Sequence, residues 1–126
     1  MSEIMIVDDE PDQIFTVEQI LKSYKDDSYK VVGAQSGREC LKKLQEGVKP
    51  DIILLDIMMP EMSGWEVFDK IRDNTEWSDI PIVFLTARTD DIAEEAGDFL
   101  ADDYIEKPFE IEQLINRIDK LLDKKQ

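Results

Sequence analysis

Short apolar runs of strand-forming residues alternate along the chain with longer stretches of helical periodicity, and this alternation constrains the fold most. The apolar runs are Ile4–Val7, Tyr29–Ala34, Ile52–Leu55, Ile82–Leu85 and Tyr104–Ile105. The third and fourth runs are apolar almost throughout, as expected for central parallel strands that helices cover on both faces. Strands that alternate with helices in this way favour an α/β fold with one parallel sheet and right-handed crossovers.

Five helices are predicted between and after these strands. The first begins at Pro11, the fourth spans about residues 90–100, and the last begins at Ile111. Gly47 is typical of the residue that ends a helix, here the second one. The second and third helices each begin with a capping box, in which a glutamate follows a serine cap three residues later: Ser36 with Glu39, and Ser63 with Glu66.

Length, charge and cysteine content exclude several classes of protein. The 126 residues fit one domain, and 15 basic against 30 acidic residues give a net charge of −15. So negative a chain lacks the basic surface that nucleic-acid binding needs, and no apolar run approaches the roughly 20 residues of a membrane span. The single cysteine, Cys40, lies on an apolar helical stripe, which predicts a buried thiol. Because no signal peptide precedes Ile4, we expect a cytoplasmic protein.

Polar residues follow four of the predicted strands at their carboxyl ends. Asp8 and Asp9 follow the first strand, the third strand ends in Asp56 and the fourth in Thr86, and Lys107 comes just after the fifth. Ligands of open parallel sheets bind beyond the carboxyl ends of the strands. We therefore expect these side chains to converge at one edge of the sheet.

The three carboxylates indicate a site for a hard divalent cation. Carboxylates packed together repel one another, and a cation removes that repulsion. Mg²⁺ prefers oxygen ligands and typically takes one or two carboxylates plus a phosphate oxygen. Zn²⁺ favours His or Cys, and this chain has no His. Thr86 and Lys107 are suited to donate to a phosphoryl group beside such an ion.

These residues and the segments around them resemble the receiver domain of response regulators, the CheY-like family of two-component signalling. The resemblance implies a flavodoxin-like fold: a single doubly wound sheet of five parallel strands in the order 2-1-3-4-5, flanked by five helices. It covers essentially the whole chain and is carried by four segments: Val7–Pro11, Asp51–Gly64, Phe84–Arg88 and Ala101–Phe109.

The resemblance implies a role for each residue of the acidic site. Asp56 would be the nucleophile and phosphoacceptor. Asp9 and Asp56 would bind Mg²⁺ directly, Asp8 would act through a coordinated water, and the backbone carbonyl of Met58 would be the remaining protein ligand.

Four further residues take their expected roles from the same resemblance. Thr86 would bond one phosphoryl oxygen on activation, and Lys107 would pair with another. Tyr104 would be the switch aromatic that turns inward as Thr86 moves. Pro108 would follow a cis peptide bond to Lys107.

The implied function is a phosphorylation-activated switch. It would accept a phosphoryl group from a histidine kinase or phosphotransfer protein and signal to a downstream effector or to a lost output domain. Residues 1–126 would form one receiver domain without an output domain, and the domain would catalyse only its own phosphorylation and dephosphorylation.

Residues 89–106 hold eight acids and no Lys or Arg. Because many transcriptional members dimerise there through mixed charges, we expect a monomer rather than a dimer formed through the last two helices.

Three alternatives remain at this point. A receiver-like scaffold that works without phosphorylation would not need the complete set of acids, Thr and Lys. A Mg²⁺-dependent phosphatase with an Asp nucleophile generally has a second acid two residues later, where this chain has Met58. A flavin-binding module would need a Ser-, Thr- or Gly-rich phosphate loop after the first strand, where the acidic segment Asp8–Pro11 lies.

Overall fold

The chain folds around a parallel sheet of five strands in the order β2-β1-β3-β4-β5. The computed structural model describes residues 2–25, 29–86, 103–106 and 110–125. Within these ranges the elements are β1 (Ser2–Val7), α1 (Pro11–Lys25), β2 (Tyr29–Ala34), α2 (Gly37–Gln45), β3 (Ile52–Asp56), α3 (Gly64–Asp73), β4 (Ile82–Thr86), β5 (Asp103–Glu106) and α4 (Ile111–Lys125).

This architecture confirms the predicted fold class and strand order. All four strand pairs are parallel, and β1 lies between β2 and β3. The predicted helix at about residues 90–100 lies outside the described residues, so α4 is the last of the five predicted helices.

Helices pack on both faces of the sheet because successive strand residues point to opposite sides. On one face, α1 and α4 pack with one set of buried strand residues: Ile4, Ile6, Ile52, Leu54, Val83, Leu85 and Ile105. On the other face, α2 and α3 cover the alternate set: Met5, Val7, Ile53, Leu55, Ile82 and Phe84. The central strands are thus buried from both sides, as their apolar sequences predict.

The predicted capping residues begin and end their helices. Ser36 Oγ accepts the N–H of Glu39 at 3.0 Å, and Ser63 Oγ accepts the N–H of Glu66 at 3.4 Å. Gly47 has a φ of 107°, which favours glycine after a helix.

Strand bounds extend beyond the apolar runs that predicted them. β1 begins at Ser2, because Ser2 and Glu3 pair with the first two residues of β2. β3 and β4 run past their apolar residues to end in Asp56 and Thr86, as predicted. Polar residues at the strand ends thus take part in the hydrogen-bond ladder.

Cys40 is a buried thiol, as its position on the apolar stripe of α2 predicts. Burial raises the pKa of Cys40 to about 12, and the neighbouring Glu39 carboxylate adds to the rise. The thiol is therefore protonated and unreactive at neutral pH.

Among the described helices, none combines the length and apolar character of a membrane span.

Candidate functional site

Three carboxylates meet at the carboxyl edge of the sheet, between the adjacent strands β1 and β3. Val7 and Leu55 are paired across these strands, so the next residues, Asp8 and Asp56, lie side by side. With Asp9 they place one carboxylate oxygen each within 4.8 Å of one another. The structure therefore brings together the three acids that the sequence singles out.

Asp8 is fixed by the backbone around it. Its N–H donates to the carbonyl of Ala34 at 3.0 Å, which extends the pairing of β1 with β2 by one residue. Its Oδ1 accepts the N–H of Glu10 at 3.0 Å in the turn that leads into α1. The side chain is fully buried, whereas Asp9 is half-buried and reaches solvent.

Asp56 is the last residue of β3 and is only 5% exposed. It is paired with Leu85 of β4, and the N–H of Ile57 donates to the Leu85 carbonyl at 3.2 Å. The backbone of Asp56 is thus fixed to β4 on one side, while its carboxylate lies among those that follow β1.

The loop from residue 57 to 63 contains two three-residue turns. Met59 N–H donates to the Ile57 carbonyl at 3.2 Å, which closes a turn around Met58. Met62 N–H donates to the Pro60 carbonyl at 2.7 Å, and Glu61 between them has a φ of 66°. A turn with a positive central φ is strained for an L-residue, and such strain collects at functional loops.

Gly64, the first residue of α3, lies directly against the backbone of the candidate phosphoacceptor. A Cβ at this position would lie 2.4 Å from the carbonyl oxygen of Asp56 and 2.8 Å from the Cα of Ile57. Only a glycine permits this approach. Gly64 lies within the Asp51–Gly64 segment that carries the family resemblance, but the sequence gives no indication of this contact, which depends on how α3 packs on β3.

The other predicted site residues are described only in part. Thr86 ends β4 and is paired with Glu106, and Tyr104 in β5 is paired with Phe84. Thr86 and Tyr104 therefore lie on adjoining strands near the same edge. Lys107 and Pro108 lie outside the described residues, so their predicted roles are untested.

The donor set fits a hard cation such as Mg²⁺. All three side chains offer carboxylate oxygens, and two of the three are buried, so the water that could screen their repulsion is limited. Oxygen donors in this number suit Mg²⁺. The ligands that Zn²⁺ prefers are absent here, because the chain contains no His and its one Cys lies inside the core.

Comparison with known families places the chain in one of them. The model of the response regulator receiver domain matches residues 4–119. This chain therefore belongs to the receiver domains of two-component signalling, a family whose members generally bind Mg²⁺.

Two curated relatives show the contexts in which similar domains occur. Response regulator SaeR of Staphylococcus epidermidis is 39% identical over an alignment of 127 positions, which covers 97% of this chain and 51% of the relative. A probable cyclic di-GMP phosphodiesterase of Vibrio cholerae is 41% identical over 116 residues, which cover 91% of this chain and 25% of that protein. The chain thus spans about half of the length of the first relative and a quarter of the length of the second.

Solved structures agree with the fold along almost the whole chain. Chemotaxis protein CheY4 of Vibrio cholerae superposes with a TM-score of 0.85 at 30% identity, covering 96% of this chain and 98% of CheY4. Response regulator TrrA of Thermotoga maritima, solved in complex with Mg²⁺ and BeF, gives a TM-score of 0.83 at 34% identity, covering 96% of this chain and 99% of TrrA.

Proposed function

We propose that this receiver domain is a Mg²⁺-dependent phosphoacceptor, in which Asp56 takes a phosphoryl group from a histidine kinase or phosphotransfer protein. The observation that carries the proposal is the cluster of Asp8, Asp9 and Asp56, with one oxygen of each within 4.8 Å of the others. Buried like charges in one place are costly to maintain, and a cation-dependent reaction gives a reason for them.

Asp9 and Asp56 would hold the metal directly, and the backbone carbonyl of Met58 would be the third protein ligand. Asp8 would act through a coordinated water, in keeping with the engagement of its Oδ1 by the Glu10 N–H. When bound, Mg²⁺ would supply positive charge against the phosphoryl oxygens and permit a carboxylate to approach them.

Asp56 would attack the phosphorus of the donor. A bond forms between a carboxylate oxygen of Asp56 and phosphorus, and the bond from phosphorus to the donor imidazole nitrogen breaks. The imidazole keeps the electron pair and takes up a proton. Because such transfer depends mainly on positioning and charge neutralisation, the fixed backbone of Asp56 is the main contribution of the fold.

Thr86 and Lys107 would bond the oxygens of the new aspartyl phosphate. The modification adds charge and acceptor oxygens beside β4. Movement of Thr86 toward them would make space for the ring of Tyr104 on the adjoining strand, and the surface around β5 and α4 would change. A cis bond between Lys107 and Pro108 would place the ammonium; its geometry remains a prediction.

The partners follow from this chemistry. Two large apolar side chains in segments next to the acids are exposed, Phe15 at 61% in α1 and Met58 at 63% in the loop after β3. They offer apolar contacts for a phosphodonor protein that approaches Asp56. The signal from this receiver domain would go to an effector protein or to an output domain like those of the longer relatives. We further propose a cytoplasmic monomer that binds neither nucleic acid nor membrane by itself.

Intact mass spectrometry after incubation with Mg²⁺ and acetyl phosphate tests the phosphoacceptor. We expect a gain of one phosphoryl group that is lost in Asp56→Asn and in a sample treated with chelator. Asp69→Asn is the matched control, because it removes the same charge from an exposed position in α3 and leaves the site intact.

Two results would overturn the proposal. One is a phosphoryl gain that persists in folded Asp56→Asn. The other is no gain from either acetyl phosphate or a phosphohistidine donor in wild-type protein that is folded and binds Mg²⁺, which would favour a scaffold that works without phosphorylation.

A further inference from the structure

The first turn of α3 contacts both the loop from residue 57 to 63 and strand β4. Two routes run through this turn, one through backbone hydrogen bonds and one through aromatic rings. Neither route includes Thr86 or Tyr104, the two residues to which switching is assigned above.

The backbone route passes through Ile57. Gly64 N–H donates to the Ile57 carbonyl at 2.9 Å, and Ile57 N–H donates to the Leu85 carbonyl at 3.2 Å. Since a Cβ at Gly64 would lie 2.4 Å from the Asp56 carbonyl oxygen, α3 is already at closest approach to β3. The residue after Asp56 is therefore bonded to β4 on one side and to α3 on the other.

The ring route begins at the next residue. The indole of Trp65 packs edge-on against Phe84 of β4, with ring centroids 4.7 Å apart and an interplanar angle of 60°. Phe84 is fully buried and also contacts Phe68, at 5.4 Å between centroids. This edge-to-face geometry is a favourable one for aromatic pairs.

We propose that Trp65 is a positioning residue for the acidic site. Its contact with Phe84 holds the first turn of α3, and with it the loop from residue 57 to 63, at the separation from β4 that cation binding requires. Occupation of the site is then transmitted to Phe84 in β4 through this turn, in addition to any movement of Thr86. The proposal rests on the function proposed above, because it assigns Mg²⁺ to the acid cluster.

Closely packed interiors transmit displacement in this way because they do not deform continuously. The Met58 carbonyl belongs to the same loop, one residue after Ile57. A shift of α3 away from β4 therefore changes the loop that provides a proposed ligand, while Asp8 and Asp9, anchored through β1 and α1, keep their places.

The second tryptophan provides a matched control. Trp77 lies beyond the other end of α3 and packs, half-buried, against the same core cluster as Trp65. Trp77→Leu removes an equal side chain from that core without touching the acidic site. Trp65→Phe keeps an aromatic ring beside Phe84 and serves as the conservative variant.

Isothermal titration of Mg²⁺ into wild type, Trp65→Leu, Trp65→Phe and Trp77→Leu tests the proposal. We expect Trp65→Leu to weaken Mg²⁺ binding by about threefold to tenfold, the range of an indirect coupling. Trp65→Phe and Trp77→Leu should stay within about twofold of wild type. Amide hydrogen exchange without Mg²⁺ should be faster at Ile57 and Gly64 in Trp65→Leu than in wild type. The amide of Val17 in α1 should exchange at the same rate in both proteins.

The outcomes separate this proposal from the one on which it rests. Wild-type protein that does not bind Mg²⁺ overturns both. Wild-type binding with equal affinity in folded Trp65→Leu overturns the role of Trp65 and leaves the phosphoacceptor intact. Equal weakening in Trp65→Leu and Trp77→Leu also overturns it, because a general loss of packing would then explain the effect.

Discussion

The two ends of strand β3 carry the same residue type in opposite circumstances. At the amino end, the Asp51 carboxylate accepts the N–H of Glu3 at 2.7 Å, and the Asp51 N–H donates to the Glu3 carbonyl at 2.7 Å. At the carboxyl end, Asp56 lies with two other carboxylates within 4.8 Å. The same four apolar residues connect the two ends, so the neighbours of each aspartate, and not the strand, decide what it does.

The comparison separates a residue that stabilises the fold from one that the fold must tolerate. A carboxylate that accepts a backbone N–H satisfies a donor and links two strands. Carboxylates gathered together repel one another, which raises the free energy of the folded state, and a cation that binds them relieves this repulsion. We therefore expect substitutions at the two ends to differ in sign as well as in size.

The glycines near the two ends sharpen the comparison with the largest expected effect. Gly64→Ala should lower the free energy of unfolding by about 3 kcal/mol, because the added methyl meets the backbone of Asp56. Gly47→Ala, with nothing within 4 Å but a φ of 107°, should cost only about 1 kcal/mol. Urea unfolding followed by circular dichroism measures both, and equal losses would contradict the tight contact at Gly64.

Asp51→Ala should lower the free energy of unfolding by about 2 kcal/mol through the loss of a charge-assisted hydrogen bond to Glu3. Its affinity for Mg²⁺ should equal that of wild type, since Asp51 lies at the far end of β3. Thermal unfolding and Mg²⁺ titration of one sample check both statements. A changed Mg²⁺ affinity would show that the two ends are not independent.

Mg²⁺ at ten times its Kd should raise the stability of the wild-type protein by about 1.4 kcal/mol, because it binds the folded state and not the unfolded chain. The rise should disappear in Asp9→Asn and remain in Asp51→Ala. Melting curves with and without chelator measure it. A rise that survives in Asp9→Asn would place the cation elsewhere.

Asp56→Asn should raise the free energy of unfolding in chelator by about 1 kcal/mol, because it removes one charge from the cluster at nearly constant volume. The same change at the other end, Asp51→Asn, should lower it. Urea unfolding compares the two variants. A loss of stability in Asp56→Asn would show that the carboxylate contributes more through its contacts than it costs by repulsion.

Much of the fold was predictable because local sequence and tertiary packing agree. The apolar runs located all five strands, and the serine caps at Ser36 and Ser63 located two helix starts. The three acids were predictable for the same reason, since each follows a predicted strand at the edge where ligands bind. The strand order came from the resemblance to a family and not from the pattern itself.

Several contacts that fix the fold and the site could not be predicted, because they depend on tertiary packing. The bond between Glu3 and Asp51 spans 48 residues, and the Trp65–Phe84 contact requires α3 to lie against β4. Arg72 donates to the carbonyls of Ser78 and Ile80 at 3.1 and 2.8 Å, and these bonds, although closer in sequence, depend on how the turn before β4 folds back on α3. Patterns of residue type do not encode such pairings.

The central claim is that Asp56, alone among the many acids of this chain, carries the phosphoryl group. Borohydride reduction of the acetyl phosphate-treated protein converts an aspartyl phosphate into homoserine, which peptide mass spectrometry locates. We expect homoserine at position 56 only, and none when Mg²⁺ is chelated. Homoserine at another aspartate with position 56 unchanged would contradict the account.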